Sequence, residues 1–237
     1  YPGMRWPAAD RARFFGDNLG PVFKRQRIKT HVLDWDHNWD QPEQPLTVLA
    51  DPRAVAVVSG VAWHCYAGEV SAQAKVTAAH PDKDAFFTEC SGGEWAPKFD
   101  ESFGWMVSNL IIGSTRGGAR GVLMWNLALD ETHGPHAGGC GNCRGVVTID
   151  SQTGAVARNQ EYYAFGHASR FVKPGAVRIG SPAMVNDLRT VAFLNRDGGR
   201  VLIVFNGGAS STLFAIAEGK RVFKASMPPH AAGTFIW

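Results

Sequence analysis

Ala85-Phe86-Phe87-Thr88-Glu89-Cys90-Ser91-Gly92-Gly93-Glu94-Trp95 is the stretch that decides the fold. The apolar Ala85-Phe86-Phe87 run reads as a buried strand. A glutamate at its C-terminal end is costly inside a core, so Glu89 is expected to open into a cleft. Gly92 and Gly93 behind it leave room for other groups to approach closely, and Trp95 offers a flat face to a ligand. In a β/α barrel this address is catalytic, because active sites collect at the C-terminal ends of the strands. A carboxylate there, near aromatics, points to sugar chemistry.

Working outward, strand and helix patterns alternate in units of roughly 30 residues, as parallel β/α architecture requires. Residues 8–27 carry Phe14, Phe15, Leu19, Val22 and Phe23 at helical spacing, with Gly20-Pro21 as an interruption. Residues 28–35 read as a strand running into Asp36-His37-Asn38-Trp39-Asp40, and 52–58 as a helix. Val61–Tyr66 is the next strand, 69–80 a helix, 85–89 the third strand, 100–115 a long helix and Gly121–Asn126 the fourth strand. Each strand ends in polar or aromatic residues: Asp36 and His37, His64 and Tyr66, Glu89, Trp125 and Asn126. Residues 159–172 read as a helix capped by Asn159. From about residue 175 the pattern changes to short strands, separated by the turn signals Arg196-Asp197-Gly198-Gly199 and Asn206-Gly207-Gly208. That change indicates an antiparallel β-module.

The bulk numbers bound the class. A chain of 237 residues, 45% apolar, 19% charged and of net charge +3, is globular rather than disordered. The basic residues are scattered apart from Lys24-Arg25-Gln26-Arg27, which reads as a solvated helix end, so no nucleic-acid partner is expected. No apolar run approaches the roughly 18 residues of a membrane span. The chain starts at Tyr1-Pro2-Gly3-Met4, which reads as a processing site or fragment edge. Of the four cysteines, Cys140 and Cys143 form a CxxC in a glycine-rich loop. A local disulfide, free thiols and a metal site are the three readings. The metal is disfavoured because structural zinc wants four ligands, and no metal or other cofactor is expected. A disulfide fits an exported protein. Cys65 and Cys90 lie in different strands and are not an obvious second pair.

Taken in order, Tyr1-Pro2-Gly3-Met4, Leu19-Gly20-Pro21, Trp35–Trp39, Gly60–Tyr66, Thr88-Glu89-Cys90, Trp125–Leu129, Glu161-Tyr162-Tyr163 and Phe171–Ala176 resemble glycoside hydrolase family 30 across nearly the whole chain. That family comprises glucosylceramidases and β-1,6-glucanases, and Cys90-Ser91-Gly92-Gly93 leans toward the latter. The resemblance implies a (β/α)8 TIM barrel with a β-sandwich. Only the second half of the barrel, strands five to eight, falls in residues 1–175, and the sandwich module in 176–237. By the same resemblance Glu89 is the nucleophile of a retaining β-glycosidase acting on β-glucosides or β-glucans. The family's acid/base glutamate lies in an Asn-Glu-Pro motif, which occurs nowhere in this chain.

Retaining glycosidases need two carboxyl groups about 5–5.5 Å apart. Glu94, Asp36, Asp130 and Glu131 are substitutes for the absent acid, each the weaker reading beside an ordinary loop or capping charge. His64 and Tyr66 are two apart on one strand and share a face, where Tyr66 would hold the rotamer of Glu89 and His64 would orient it or meet a sugar hydroxyl. Asp36 and His37 would bind hydroxyls, and Trp125 beside Asn126 would form an aromatic floor for the sugar. Tyr1 matches an aromatic on the acceptor side. Trp35, Trp39 and Trp95 either serve further subsites or pack loops. For most of these the plain alternative is core packing. Half a barrel exposes edge strands, so the expected partner is a complementary N-terminal half or a second copy in a homo-oligomer. A non-catalytic carbohydrate-binding protein, or a half that merely completes another chain, is the competing function. Secretion is the expected location.

Overall fold

A computed structural model describes residues 4–237. The chain forms two compact units. One runs up to Cys90 and takes in Gly117–Leu123; the other comprises Ser91–Arg116 and Met124–Trp237.

The first unit is built on four parallel strands in the order β1-β2-β3-β4: β1 Leu33–Asn38, β2 Gly60–His64, β3 Asp84–Glu89 and β4 Ala119–Val122. β2 is buried along nearly its whole length, as a strand covered on both faces must be. The opening helix is continuous through Gly20-Pro21 as Ala8–Arg13, a π-type stretch Phe14–Leu19 and Gly20–Gln26. Pro21 cannot donate into an ordinary turn, and the wide turn immediately before it absorbs that break. The helix ends at Arg27, whose φ of 55° is left-handed, so the basic cluster is indeed a helix terminus. Arg11 on this helix is paired with the buried Asp34 of β1 at 2.8 Å.

Several boundaries differ from the sequence expectation. The first strand is Leu33–Asn38 rather than 28–35, which carries Asp36 and His37 into the sheet. The next helix is Glu43–Ala50, and 51–57 is a run of turns. Pro52 disfavours helix at Asp51, and the Asp51 carboxylate instead accepts from the backbone N–H of Arg53 and Ala54. The fourth strand is Ala119–Val122 and does not reach Trp125 or Asn126.

In the second unit a helix runs as Phe99–Met106, a π-type stretch Val107–Gly113 and Ser114–Arg116. It lies against an antiparallel sheet. Gly104 sits so close to Phe205 that a Cβ would meet the ring at 2.7 Å, and Arg116 donates to the carbonyls of Thr190 and Ser181. The sheet contains β5 Val177–Ile179, β6 Met184–Val185, β7 Leu188–Leu194, β8 Arg200–Asn206 and β11 Ala232–Ile236, in the order β5-β7-β8-β11 with β6 also on β7. A hairpin of β9 Thr212–Glu218 and β10 Arg221–Met227 completes the sandwich, and Leu188, Val204 and Met227 form its buried centre. Helix Gln160–Ser169 is preceded by Asn159 as expected, but the Asn159 amide donates to Gly145 O and Thr148 Oγ1 instead of capping.

Candidate active site

The parallel register assembles the site in the first unit. Asn38 of β1 pairs with His64 of β2, and His64 with Glu89 of β3, so three strand ends present their last residues side by side. β1 carries one extra residue here: the register slips between Trp35 and His37, and Trp35 and Asp36 adopt φ of 76° and 48°. Two consecutive non-glycine residues in this region are costly, and such strain concentrates at functional sites.

The bulge places the Asp36 carboxylate between two donors. His64 Nε2 lies 3.0 Å from Asp36 Oδ1, and the Thr88 hydroxyl donates to the same oxygen at 2.7 Å. The other ring nitrogen, His64 Nδ1, faces Glu89 Oε1 at 3.9 Å. Tyr66 Oη donates to that Glu89 oxygen at 2.9 Å. The backbone N–H of Tyr66 donates to Asn38 Oδ1 at 3.1 Å. His37 stacks edge-on to His64 at 6.1 Å between ring centroids. The network is half open: side-chain exposure is 13% for His64, 28% for Glu89 and 65% for Asp36.

Asp36 is held below the usual carboxylate range, first by the His64 hydrogen bond, with the Thr88 hydroxyl and the charges of His64 and His37 adding to it and partial burial opposing. An ionised Asp36 suits a hydroxyl acceptor and not a proton donor, which needs a raised value. The other substitute acids are engaged too. Asp130 accepts from Gly134 N, Thr132 N and Thr132 Oγ1, and Glu131 from Ser151 N and Oγ; both are lowered, chiefly by the Gly134 backbone hydrogen bond and the Ser151 hydroxyl respectively. Glu94 lies 3.2 Å from His133 Nε2.

Sequence reasoning brought Asp36, His37, His64, Tyr66 and Glu89 into one cluster but missed Thr88 and Asn38, whose only signal was adjacency to the strand ends. Trp125 and Asn126 fall in the second unit, Trp125 half exposed and Asn126 accepting from Val146 N through its carbonyl. Tyr1 lies outside the described residues. Trp39 is a core residue, buried against Phe87 and donating to Gln73 Oε1 at 3.0 Å; Trp35 donates to Asn38 O. The two glycines do admit close neighbours: a Cβ on Gly92 would lie 1.8 Å from Glu161 Oε1, and one on Gly93 2.1 Å from the Trp95 ring.

Cys65 and Cys90, not an obvious pair from sequence, do pair: they form a disulfide with Cα atoms 5.4 Å apart. Each follows its partner in the registered pair His64–Glu89, so parallel neighbours bring them together. Cys140 and Cys143 form the local disulfide. Among the described residues no group of three or more His, Cys, Asp or Glu side chains is arranged to hold a metal ion, and no helix is long and apolar enough to cross a membrane.

A parallel β/α sheet with a hydrogen-bonded glutamate at a strand terminus, joined to a β-sandwich, defines the class of barrel-and-sandwich glycoside hydrolases. Residues 4–172 match the glycosyl hydrolase family 30 TIM-barrel domain and residues 175–235 the glycosyl hydrolase family 30 beta sandwich domain. The chain belongs to glycoside hydrolase family 30. It is 32% identical to an endo-1,6-beta-D-glucanase of Neurospora crassa, over 92% of this chain and 46% of that one. It is 28% identical to the lysosomal acid glucosylceramidase of Mus musculus, over 94% and 46%. A solved endo-beta1,6-glucanase superposes with a TM-score of 0.89 at 30% identity, over 99% of this chain and 54% of the other. The chain thus spans about half the length of the curated relatives it matches.

Proposed function

We propose that the chain carries the nucleophile side of a retaining β-glycosidase that cleaves β-glucosidic bonds, β-1,6-linked glucan being the favoured substrate class. The observation that carries this reading is the Tyr66–Glu89 hydrogen bond at the C-terminal edge of a parallel sheet. A carboxylate held in one rotamer and partly exposed is what attack on an anomeric carbon requires. Asp36, His37 and His64 would hold sugar hydroxyls, and Trp125 beside Asn126 would offer a sugar an aromatic face. β1–β4 would be the fifth to eighth barrel strands, with the barrel part ending at residue 175 and the sandwich filling 176–237. The proton donor would come from a complementary N-terminal half, since the carboxylates considered as substitutes are committed elsewhere. The two disulfides support an oxidising, extracytoplasmic compartment.

The test is intact mass after incubation with a 2-deoxy-2-fluoroglucoside bearing a dinitrophenolate leaving group, which departs without a proton donor. The expected result is a stoichiometric fluoroglucosyl adduct on Glu89, absent in Glu89→Gln. Sugar affinity with no adduct in folded protein would establish a carbohydrate-binding function instead.

A further inference from the structure

The Cys65–Cys90 disulfide occupies a particular place in the site. Cys90 directly follows Glu89 and Cys65 directly precedes Tyr66, so the cross-link joins the chain neighbours of the two residues whose side chains meet in the 2.9 Å hydrogen bond. The backbone ladder cannot do this work. The last registered pair between β2 and β3 is His64–Glu89, and Tyr66 stands two residues beyond it, with its side chain about half exposed. Past the ladder, the Tyr66 N–H donates to Asn38 Oδ1, its ring meets that of His64 edge-on at 6.1 Å between centroids, and the residue before it is tied by the disulfide. The phenol, the carboxylate and the S–S bond therefore close one ring, covalent on one side and hydrogen-bonded on the other.

We propose that the Cys65–Cys90 disulfide is a positioning element that holds the Tyr66 hydroxyl on Glu89. The inference rests on the nucleophile reading of Glu89. Opening the disulfide frees the strand ends to separate, and a misplacement of about 1 Å at a reacting group costs on the order of a hundred-fold in rate.

The test follows the rate of fluoroglucosyl labelling in the full-length protein carrying this chain. Four forms are compared: wild type, the double variant Cys65→Ser/Cys90→Ser, Tyr66→Phe, and the triple combination. Circular dichroism confirms folding at the assay temperature. The disulfide-free protein is expected to label about ten- to a hundred-fold more slowly at saturating reagent, with the half-saturating concentration little changed. In the Tyr66→Phe background, removing the disulfide should cost less than about two-fold further, because coupled groups are not additive. A purely structural cross-link would lower the melting temperature while leaving the labelling rate unchanged or multiplying the two losses; either result overturns the proposal. Should the serine variant fail to fold, wild type reduced by a dithiol and then reoxidised takes its place, with labelling expected to slow and recover; labelling unaffected by reduction overturns the proposal. A wild type that takes no label at all removes the nucleophile reading and this inference with it, whereas normal labelling in every form removes this inference alone.

Discussion

Replacing Arg144 by Met should destabilise the second unit severely. Glu161 on helix Gln160–Ser169 is 0% exposed, and Arg144 supplies it with three hydrogen bonds: Nε to both carboxylate oxygens at 3.1 and 3.2 Å and Nη2 to Oε1 at 2.9 Å. Another guanidinium N–H reaches the carbonyl of Gly93 at 3.2 Å, tying down the loop that follows Glu89 in sequence. Methionine fills the volume and donates nothing, so a buried carboxylate is left without its cation. Removing one partner of such a pair costs about 3–5 kcal/mol. For a chain of this size about 2–4 °C are lost per kcal/mol, so the melting temperature should fall by about 6–20 °C in a circular dichroism scan. Arg144→Lys should recover little, because a point ammonium cannot reproduce the two-pronged contact. Arg144→Met/Glu161→Met together should recover most of the loss, since no charge is then stranded. An Arg144→Met protein melting within about 2 °C of wild type would refute the assignment of this pair as the anchor of the loop.

Tyr66→Phe removes only the hydroxyl on Glu89. A hydrogen bond to a charged group is worth about 1.5–3 kcal/mol, so nucleophilic labelling should slow by about ten- to a hundred-fold while the melting curve barely moves. Because Asp36 is held below its unfolded value, its contribution to stability is present above that value and lost as pH falls through the folded one. Urea titrations below about pH 4 should show wild type losing stability more steeply than Asp36→Asn. Gly92→Ala sets a methyl group 1.8 Å from Glu161 Oε1, so either the Arg144–Glu161 pair or the loop must shift. The expected cost of about 1–3 kcal/mol is measurable by denaturation, and an alanine variant as stable as wild type would mean the loop is free to move.

Much of the sheet was legible because period and punctuation are local. Asp84–Glu89 and Gly60–His64 were readable from apolar runs ending in polar residues, and the sandwich strands from the glycine turns between them. The misreadings have local chemical causes as well. Pro52 and the Asp51 cap turned an expected helix into turns, and Asn159 gave its amide to Gly145 and Thr148.

By itself the sequence determined the residue types at the strand ends, the alternation that makes the sheet parallel, and the resemblance that names the family. Only the tertiary structure decided which of those ends meet. It placed Cys65 beside Cys90, Thr88 and His64 on Asp36, and the Tyr66 hydroxyl on Glu89. The reason is register. Partners 23 to 52 residues apart are joined by the alignment of neighbouring strands and by one extra residue at the Trp35–Asp36 bulge. A shift of one residue would turn each side chain to the opposite face. Such an alignment is set by packing across the whole sheet, and no local pattern of residues records it.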